Sequence, residues 1–185
     1  MRLSEKLIEL FYRSATGGKP LKWLLTPIGG LVFLGFVLFL VLLALYVDHL
    51  LSLPKFLPHV FHFILSLPLL VIGLFLMGWS LIHFFKVKGT PVPFNPPPKL
   101  VRSGPYAFVR NPMLSGVFFL LFGLGFALES LSLILVFTPL LILFNVLELK
   151  IVEEPELEKR LGEEYLEYKK ETPMFFPWKR FKTRF

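Results

Sequence analysis

Apolar and polar positions along this chain fall in long blocks rather than in short alternations. A helix needs about 20 mostly apolar residues to cross the hydrocarbon core of a bilayer. Residues 23–47 form one such block, without a charge until Asp48. Residues 60–85 form a second, broken only by His62 and His83. Residues 112–128 and 131–148 form a shorter pair, parted by Glu129-Ser130, which reads as the tip of a helical hairpin. The pattern predicts an all-α integral membrane protein of about four transmembrane helices, built as a single domain over residues 1–185.

Two amphipathic segments flank these blocks. Leu3, Leu7, Ile8, Leu10 and Phe11 are interleaved with Arg2, Glu5, Lys6, Glu9 and Arg13, the spacing of a helix lying on a bilayer surface. The first long apolar block begins too late and runs too long for a cleaved signal peptide, so none is expected. Near the other end, Leu157, Leu161, Tyr165 and Tyr168 share a helical face. They predict a surface helix from Glu153 to about Lys170, with the acidic Glu153-Glu154 before Pro155 suiting its N-terminus.

Composition agrees with the pattern. Hydrophobic residues make up 55% of the chain, above the ~45–50% of soluble domains. The net charge of +7 is explained by where the cations sit. Five Lys/Arg lie before the first block, Lys55 alone lies between the first two, five lie from Lys86 to Arg110, and nine follow from Lys150. The positive-inside rule then places both termini and the central loop in the cytoplasm, at the cytoplasmic membrane. No nucleic-acid-binding motif accompanies the charge, so no nucleic-acid partner is expected. The absence of cysteine excludes disulfides, thiolate metal sites and cysteine nucleophiles. His49, His59, His62 and His83 form no i, i+4 pair, and the interfacial reading of His59 and His62 leaves no expected metal.

Candidate chemistry gathers in two polar stretches, residues 86–112 and 149–178, on either side of the hairpin and therefore on one side of the bilayer. The central loop has five prolines between Pro91 and Pro98. It is stiff, serving as a linker or as a strap over a site. Ser103-Gly104-Pro105-Tyr106 is a turn signature. Arg110-Asn111-Pro112 is a helix start, with Asn111 as the cap and Pro112 in first position. Anchoring alone accounts for those residues. Free N–H groups beside a guanidinium also bind carboxylates. Glu153 and Glu154 set two carboxylates together, which a solvent shell, a cation or a ligand's hydroxyls or ammonium would satisfy. Asn145, Glu148 and Lys150 sit where the last apolar block ends, a place where polar groups face a partner or a cavity. Gly17-Gly18-Lys19 lacks the spacing of a phosphate loop, and no dinucleotide fingerprint is present.

The order Gly104-Pro105-Tyr106, Arg110-Asn111-Pro112, Gly116, Glu153-Glu154, Gly162-Glu163-Glu164-Tyr165, Tyr168, Pro173 and Pro177 resembles the isoprenylcysteine carboxyl methyltransferase and phospholipid N-methyltransferase superfamily. The resemblance covers about residues 86–178. It implies an S-adenosylmethionine-dependent methyltransferase embedded in the membrane. It further implies that Lys99, Leu100, Val101, Gly104, Tyr106, Arg110, Asn111, Pro112, Met113 and Leu114 line the cofactor site. Glu153 and Glu154 would hold the ribose hydroxyls or the amino group. The chain departs from the carboxyl methyltransferases in having Asn111 for a histidine, Leu114 for a tyrosine, Leu149 for an arginine and Met174 for another arginine.

The implied reaction is direct methyl transfer to a lipophilic or amphipathic acceptor that arrives from the bilayer. A prenylcysteine-like carboxylate would need a cation, such as Arg110 or Lys150. A phospholipid-like amine would need a base, such as Glu148 or Glu154. The sequence leaves the acceptor, the catalytic residue and the oligomeric state open. Two rival readings use the same residues. One is an NADPH-dependent reductase of the sterol-reductase type, for which the chain is short. The other is a membrane scaffold or sensor, in which Arg110, Glu153 and Glu154 serve stability alone.

Overall fold

The computed structural model describes residues 3–16, 19–56, 58, 60–87 and 99–177. The proline-rich stretch read above as a strap and His59 lie outside the described residues. Helix α1 runs Leu3–Thr16, α2 Lys19–Leu50 and α3 Phe61–Lys86. A 3-10 turn at Gly104–Ala107 leads to α4, Pro112–Ala127. After the hairpin tip come α5 (Thr138–Glu148), α6 (Glu154–Leu161) and α7 (Glu163–Glu171). No strand occurs among the described residues. Among the described residues, three helices are long and apolar enough to span a bilayer: Pro27–Leu50, Phe61–Lys86 and a continuous helix Leu133–Leu161. Helix α4, with 16 residues, is about 24 Å long, short of a hydrocarbon core of about 30 Å. The all-helical, membrane-type fold thus agrees with the sequence pattern, with three full-length apolar helices and one shorter.

The hairpin tip forms where Glu129-Ser130 was expected. Glu129 takes a left-handed conformation (φ 53°). Its N–H donates to the Phe126 carbonyl, and the Ser130 N–H donates to the Gly125 carbonyl at 2.8 Å. That pair of bonds is the Schellman termination of a helix. Ser130 then starts the next helix, its hydroxyl accepting the Leu133 N–H at 3.1 Å. Asp48, near the end of α2, accepts the neighbouring Ser132 N–H at 2.9 Å, so α2 is tied to the tip by a second cap. The apolar core lies between these elements: Val41 and Ala44 from α2, Val117, Phe118 and Leu121 from α4, and Leu133 and Leu141.

Helix Leu133–Leu161 differs from the sequence expectation. It does not end after residue 148 to restart at Glu153-Glu154-Pro155. It continues, through two π-turns at Leu133–Phe137 and Leu149–Glu153. Each closes with an i→i+5 bond, Thr138 N–H to Leu133 O and Glu154 N–H to Leu149 O. The next residue is proline in both cases, Pro139 and Pro155. A proline inside a helix lacks its N–H and crowds the carbonyl four residues back. Widening the preceding turn by one residue relieves both problems without breaking the helix. The acids therefore lie within a helix and not at its N-terminus. The predicted single helix to Lys170 is instead cut at Gly162, whose φ of +59° ends α6. Leu157 and Leu161 consequently do not continue the face of Tyr165 and Tyr168.

Helix α1 forms as its amphipathic spacing predicts, but it also docks on the protein. It packs on α6 and on the second π-turn. Lys159 of α6 lies 2.7 Å from Glu9 and 4.2 Å from the centre of the Tyr12 ring.

Candidate functional site

The described parts of both polar stretches meet at one end of the bundle, where the 3-10 turn, the start of α4, the second π-turn, α6 and α7 converge. Gly104 opens the 3-10 turn with φ +62°, a conformation that costs any residue with a Cβ. The His83 ring of α3 occupies the space a Cβ would fill. Its Nδ1 pairs with the Trp79 carbonyl at 2.9 Å, which holds the ring in place. Gly104→Ala is therefore expected to lower stability by about 1–3 kcal/mol from the strained φ alone, plus the clash. Removing the ring in a Gly104→Ala/His83→Ala double variant should recover only the clash. Thermal unfolding in detergent reads both, and a Gly104→Ala protein as stable as wild type would contradict this account.

The turn buries Tyr106, whose ring packs edge-on against Phe84 at 5.2 Å. Its backbone carbonyl accepts the Tyr168 hydroxyl at 2.6 Å. Its own hydroxyl is buried beside Ser80 but makes no hydrogen bond of ordinary geometry. The Arg102 guanidinium lies over the Tyr168 ring, 5.6 Å from its centre, and donates to the Glu164 carbonyl. Burial pushes the phenols of Tyr106, Tyr165 and Tyr168 above their ordinary range, so all three stay protonated and available as donors.

Arg110 is the hub. Its Nη1 donates to Glu154 Oε1 at 2.6 Å and to the Tyr165 hydroxyl at 3.1 Å. The other Glu154 oxygen lies 2.7 Å from Lys169, which also meets Glu158 at 2.7 Å. Burial opposes the Lys169 charge, but the two carboxylates outweigh it and hold the ammonium above its ordinary range. Only 10% of the Arg110 side chain and 6% of Glu154 is exposed. The Arg110 Nε is buried without a partner, a donor left open.

The backbone at Arg110 is fixed from another direction. The Arg110 and Asn111 N–H groups donate to the Pro173 and Met174 carbonyls at 2.8 and 3.0 Å. The Ser115 hydroxyl lies within hydrogen-bond distance of the Phe175 and Asn111 carbonyls. The segment after α7 is thus clamped against the start of α4. Asn111 does stand at the cap position, with Pro112 first in the helix. Its side chain, however, makes no capping bond, because the φ of −125° and ψ of 59° do not bring its oxygen over the first turn.

Of the residues singled out in the sequence, Val101, Tyr106, Pro112 and Glu154 are buried here, and Leu100, Gly104, Arg110, Asn111, Met113 and Glu153 are half-buried. Leu114 packs against the apolar core. Lys99 and Lys150 are exposed. Glu153 and Glu148 make no hydrogen bond or ion pair with a described residue. His83, Ser80 and Lys169 belong to the site and were not expected. For His83 the one sequence signal was an imidazole inside an apolar block.

The family model described as phospholipid methyltransferase matches residues 61–164. That stretch runs from the first residue of α3 through the 3-10 turn, the hairpin and α6. Comparison with curated proteins and with solved structures returns no match.

Proposed function

Because the chain belongs to the phospholipid methyltransferase family, we propose that it binds S-adenosylmethionine at the Arg110–Glu153 cluster and transfers its methyl group to an amphipathic acceptor. Family and apolar helices together make the chain an integral membrane methyltransferase. The single observation that carries the finer reading is a matched vacancy in the bonding of the cluster. Arg110 Nε is a buried donor without an acceptor. Glu153 makes no hydrogen bond or ion pair with a described residue, and both Arg110 and Glu153 act electrostatically on the Tyr165 phenol. An amino-acid end, with one carboxylate and one ammonium, complements that pairing.

S-adenosylmethionine supplies an already activated methyl group, so the protein's own work is orientation and exclusion of water. Arg110, locked by Glu154 and Tyr165, presents a fixed donor edge. The second π-turn presents Glu153. The clamp at Pro173–Phe175 holds the start of α4 rigid. An acceptor with an acyl or prenyl tail lies in the bilayer and reaches the site sideways. The charge distribution supports a cytoplasmic placement of this end, with both termini on the same side.

Calorimetric titration of the purified protein with S-adenosylhomocysteine tests the reading. Micromolar binding by the wild type, weakened at least tenfold in Glu153→Gln, is the expected result. A well-folded protein that binds none sinks it. The Cys-free chain also permits a clean topology test. Lys99→Cys and Lys55→Cys are expected to react with a membrane-impermeant thiol reagent from opposite faces, Lys99→Cys only when the cytoplasmic face is open.

A further inference from the structure

Arg110 has more donors than its partners use. Its hydrogen bonds to described side chains both leave from Nη1, to Glu154 Oε1 at 2.6 Å and to the Tyr165 hydroxyl at 3.1 Å. Among the described residues nothing accepts from its buried Nε. A guanidinium and a carboxylate commonly close a fork instead, two parallel bonds that engage both oxygens. Glu154 gives Arg110 one oxygen because the other is taken. Its Oε2 lies 2.7 Å from Lys169 Nζ. Lys169 is fixed in turn by Glu158 Oε1, also at 2.7 Å. Glu154 and Glu158 stand one turn apart on α6, so a single ammonium spans both. Lys169 reaches them from α7, which the Gly162 turn folds back against α6. Tyr165 and Lys169 also stand one turn apart, on the same face of α7. Tyr165 meets the cation of the buried pair and Lys169 meets its acid, so this face of α7 sets both ends.

We propose that Lys169 is a positioning residue of the site: by holding Glu154 Oε2 it prevents a two-bonded fork between Glu154 and Arg110, and so keeps guanidinium donors open for the carboxylate of the ligand's amino-acid end. The proposal rests on the reading above that S-adenosylmethionine binds at this cluster. Lys169 acts through Glu154 and not on the ligand. Its side chain is 35% exposed, against 10% for Arg110 and 6% for Glu154. It stands at the rim of the cluster, where an uncharged side chain of similar length can replace it without opening a void in the core. With Lys169 gone, Glu154 turns its second oxygen to Arg110, the other cation it already meets. The internal pair then gains a bond at the ligand's expense. Affinity and stability therefore move separately, which a residue that merely braces α7 would not produce.

The test titrates the purified full chain with two probes, S-adenosylhomocysteine and methylthioadenosine, which lacks the amino-acid end. Lys169→Met should lose about tenfold in affinity for S-adenosylhomocysteine, the scale of one charge-assisted hydrogen bond, and stay within about twofold of wild type for methylthioadenosine. Lys169→Arg can still span Glu154 and Glu158, and should bind S-adenosylhomocysteine within about threefold of wild type. Glu158→Gln loosens Lys169 without removing it and should fall between, which keeps the test alive where the methionine variant folds poorly. Thermal unfolding of each variant is read alongside. Equal losses for the two probes would mark Lys169 as a brace for α7 and overturn the proposal. Unchanged affinity for S-adenosylhomocysteine in Lys169→Met, or no rescue in Lys169→Arg, overturns it as well. The arginine rescue decides alone where methylthioadenosine binds too weakly to titrate. Absent binding of S-adenosylhomocysteine to wild type overturns the methyltransferase reading itself, and is seen before any variant is compared.

Discussion

Glu154→Ala is expected to cost about 3–5 kcal/mol of stability, the penalty of breaking a buried ion pair from one side, and Arg110→Ala distinctly less. The asymmetry comes from the partners left behind. Removing Arg110 leaves Glu154 with Lys169 at 2.7 Å. Removing Glu154 leaves Arg110, 10% exposed, with the Tyr165 hydroxyl as its one side-chain hydrogen-bond acceptor among the described residues. Arg110→Lys should fail to restore function, since an ammonium cannot meet Glu154 and Tyr165 while also presenting a third donor edge. The apolar double variant Arg110→Leu/Glu154→Leu should regain much of the stability, because two charges no longer need desolvation, yet bind no S-adenosylhomocysteine. Thermal unfolding in detergent separates the stability terms, and calorimetric titration reads the cofactor site. Equal losses for the two alanine variants would contradict the bonding order described. Binding that survives in the double leucine variant would remove Arg110 from the site.

This cluster also shows which features a sequence can carry. The apolar blocks, the amphipathic N-terminal helix and the tip at Glu129-Ser130 were legible because each is a matter of length, period or local turn chemistry. Arg110 and Glu154 could be chosen for charge and for their place at the ends of apolar blocks. Their pairing could not, since 44 residues separate them and no local rule joins them. Pro155 was legible as a proline near a helix start, a common position. It lies inside a helix because the apolar run before it holds the chain helical up to the acids, and a wider turn costs less than ending the helix there. The structure repeats the device at Thr138-Pro139, and proline alone does not say whether a helix kinks, widens or ends. The contact of His83 with Gly104 and the clamp of Pro173–Phe175 on α4 are tertiary facts with no periodic signature. Both lie at the site, where local preference and final structure most often part.

The second large effect is expected in the helix pair that carries the site. Gly116→Leu should prevent α3 and α4 from closing and should abolish folded, monodisperse protein. A Cβ on Gly116 would lie 2.8 Å from the Gly73 carbonyl oxygen and 3.1 Å from the Met77 nitrogen. A Cβ on Gly73 would lie 2.7 Å from the Gly116 carbonyl oxygen. These are backbone atoms, which no rotamer change can move aside, so the helices themselves must part. Even Gly116→Ala is expected to destabilise by about 1–3 kcal/mol from overpacking, set against up to about 1 kcal/mol gained from alanine's helix preference. Gly78→Ala is the control on α3, because nothing lies within 4 Å of a Cβ there. It should be neutral or slightly stabilising. The effect reaches the site because α3 holds Ser80 and His83, which pack on Tyr106 and Gly104, whereas α4 begins beside Arg110. A small separation of the helices would pull His83 off Gly104 before the bundle unfolds. Gly116→Ala should then lose affinity for S-adenosylhomocysteine even where it remains folded, and Gly78→Ala should not. Size-exclusion thermostability and calorimetric titration on the three variants check this together. A Gly116→Leu protein that melts with the wild type would mean that the close α3–α4 contact does not hold the site in place.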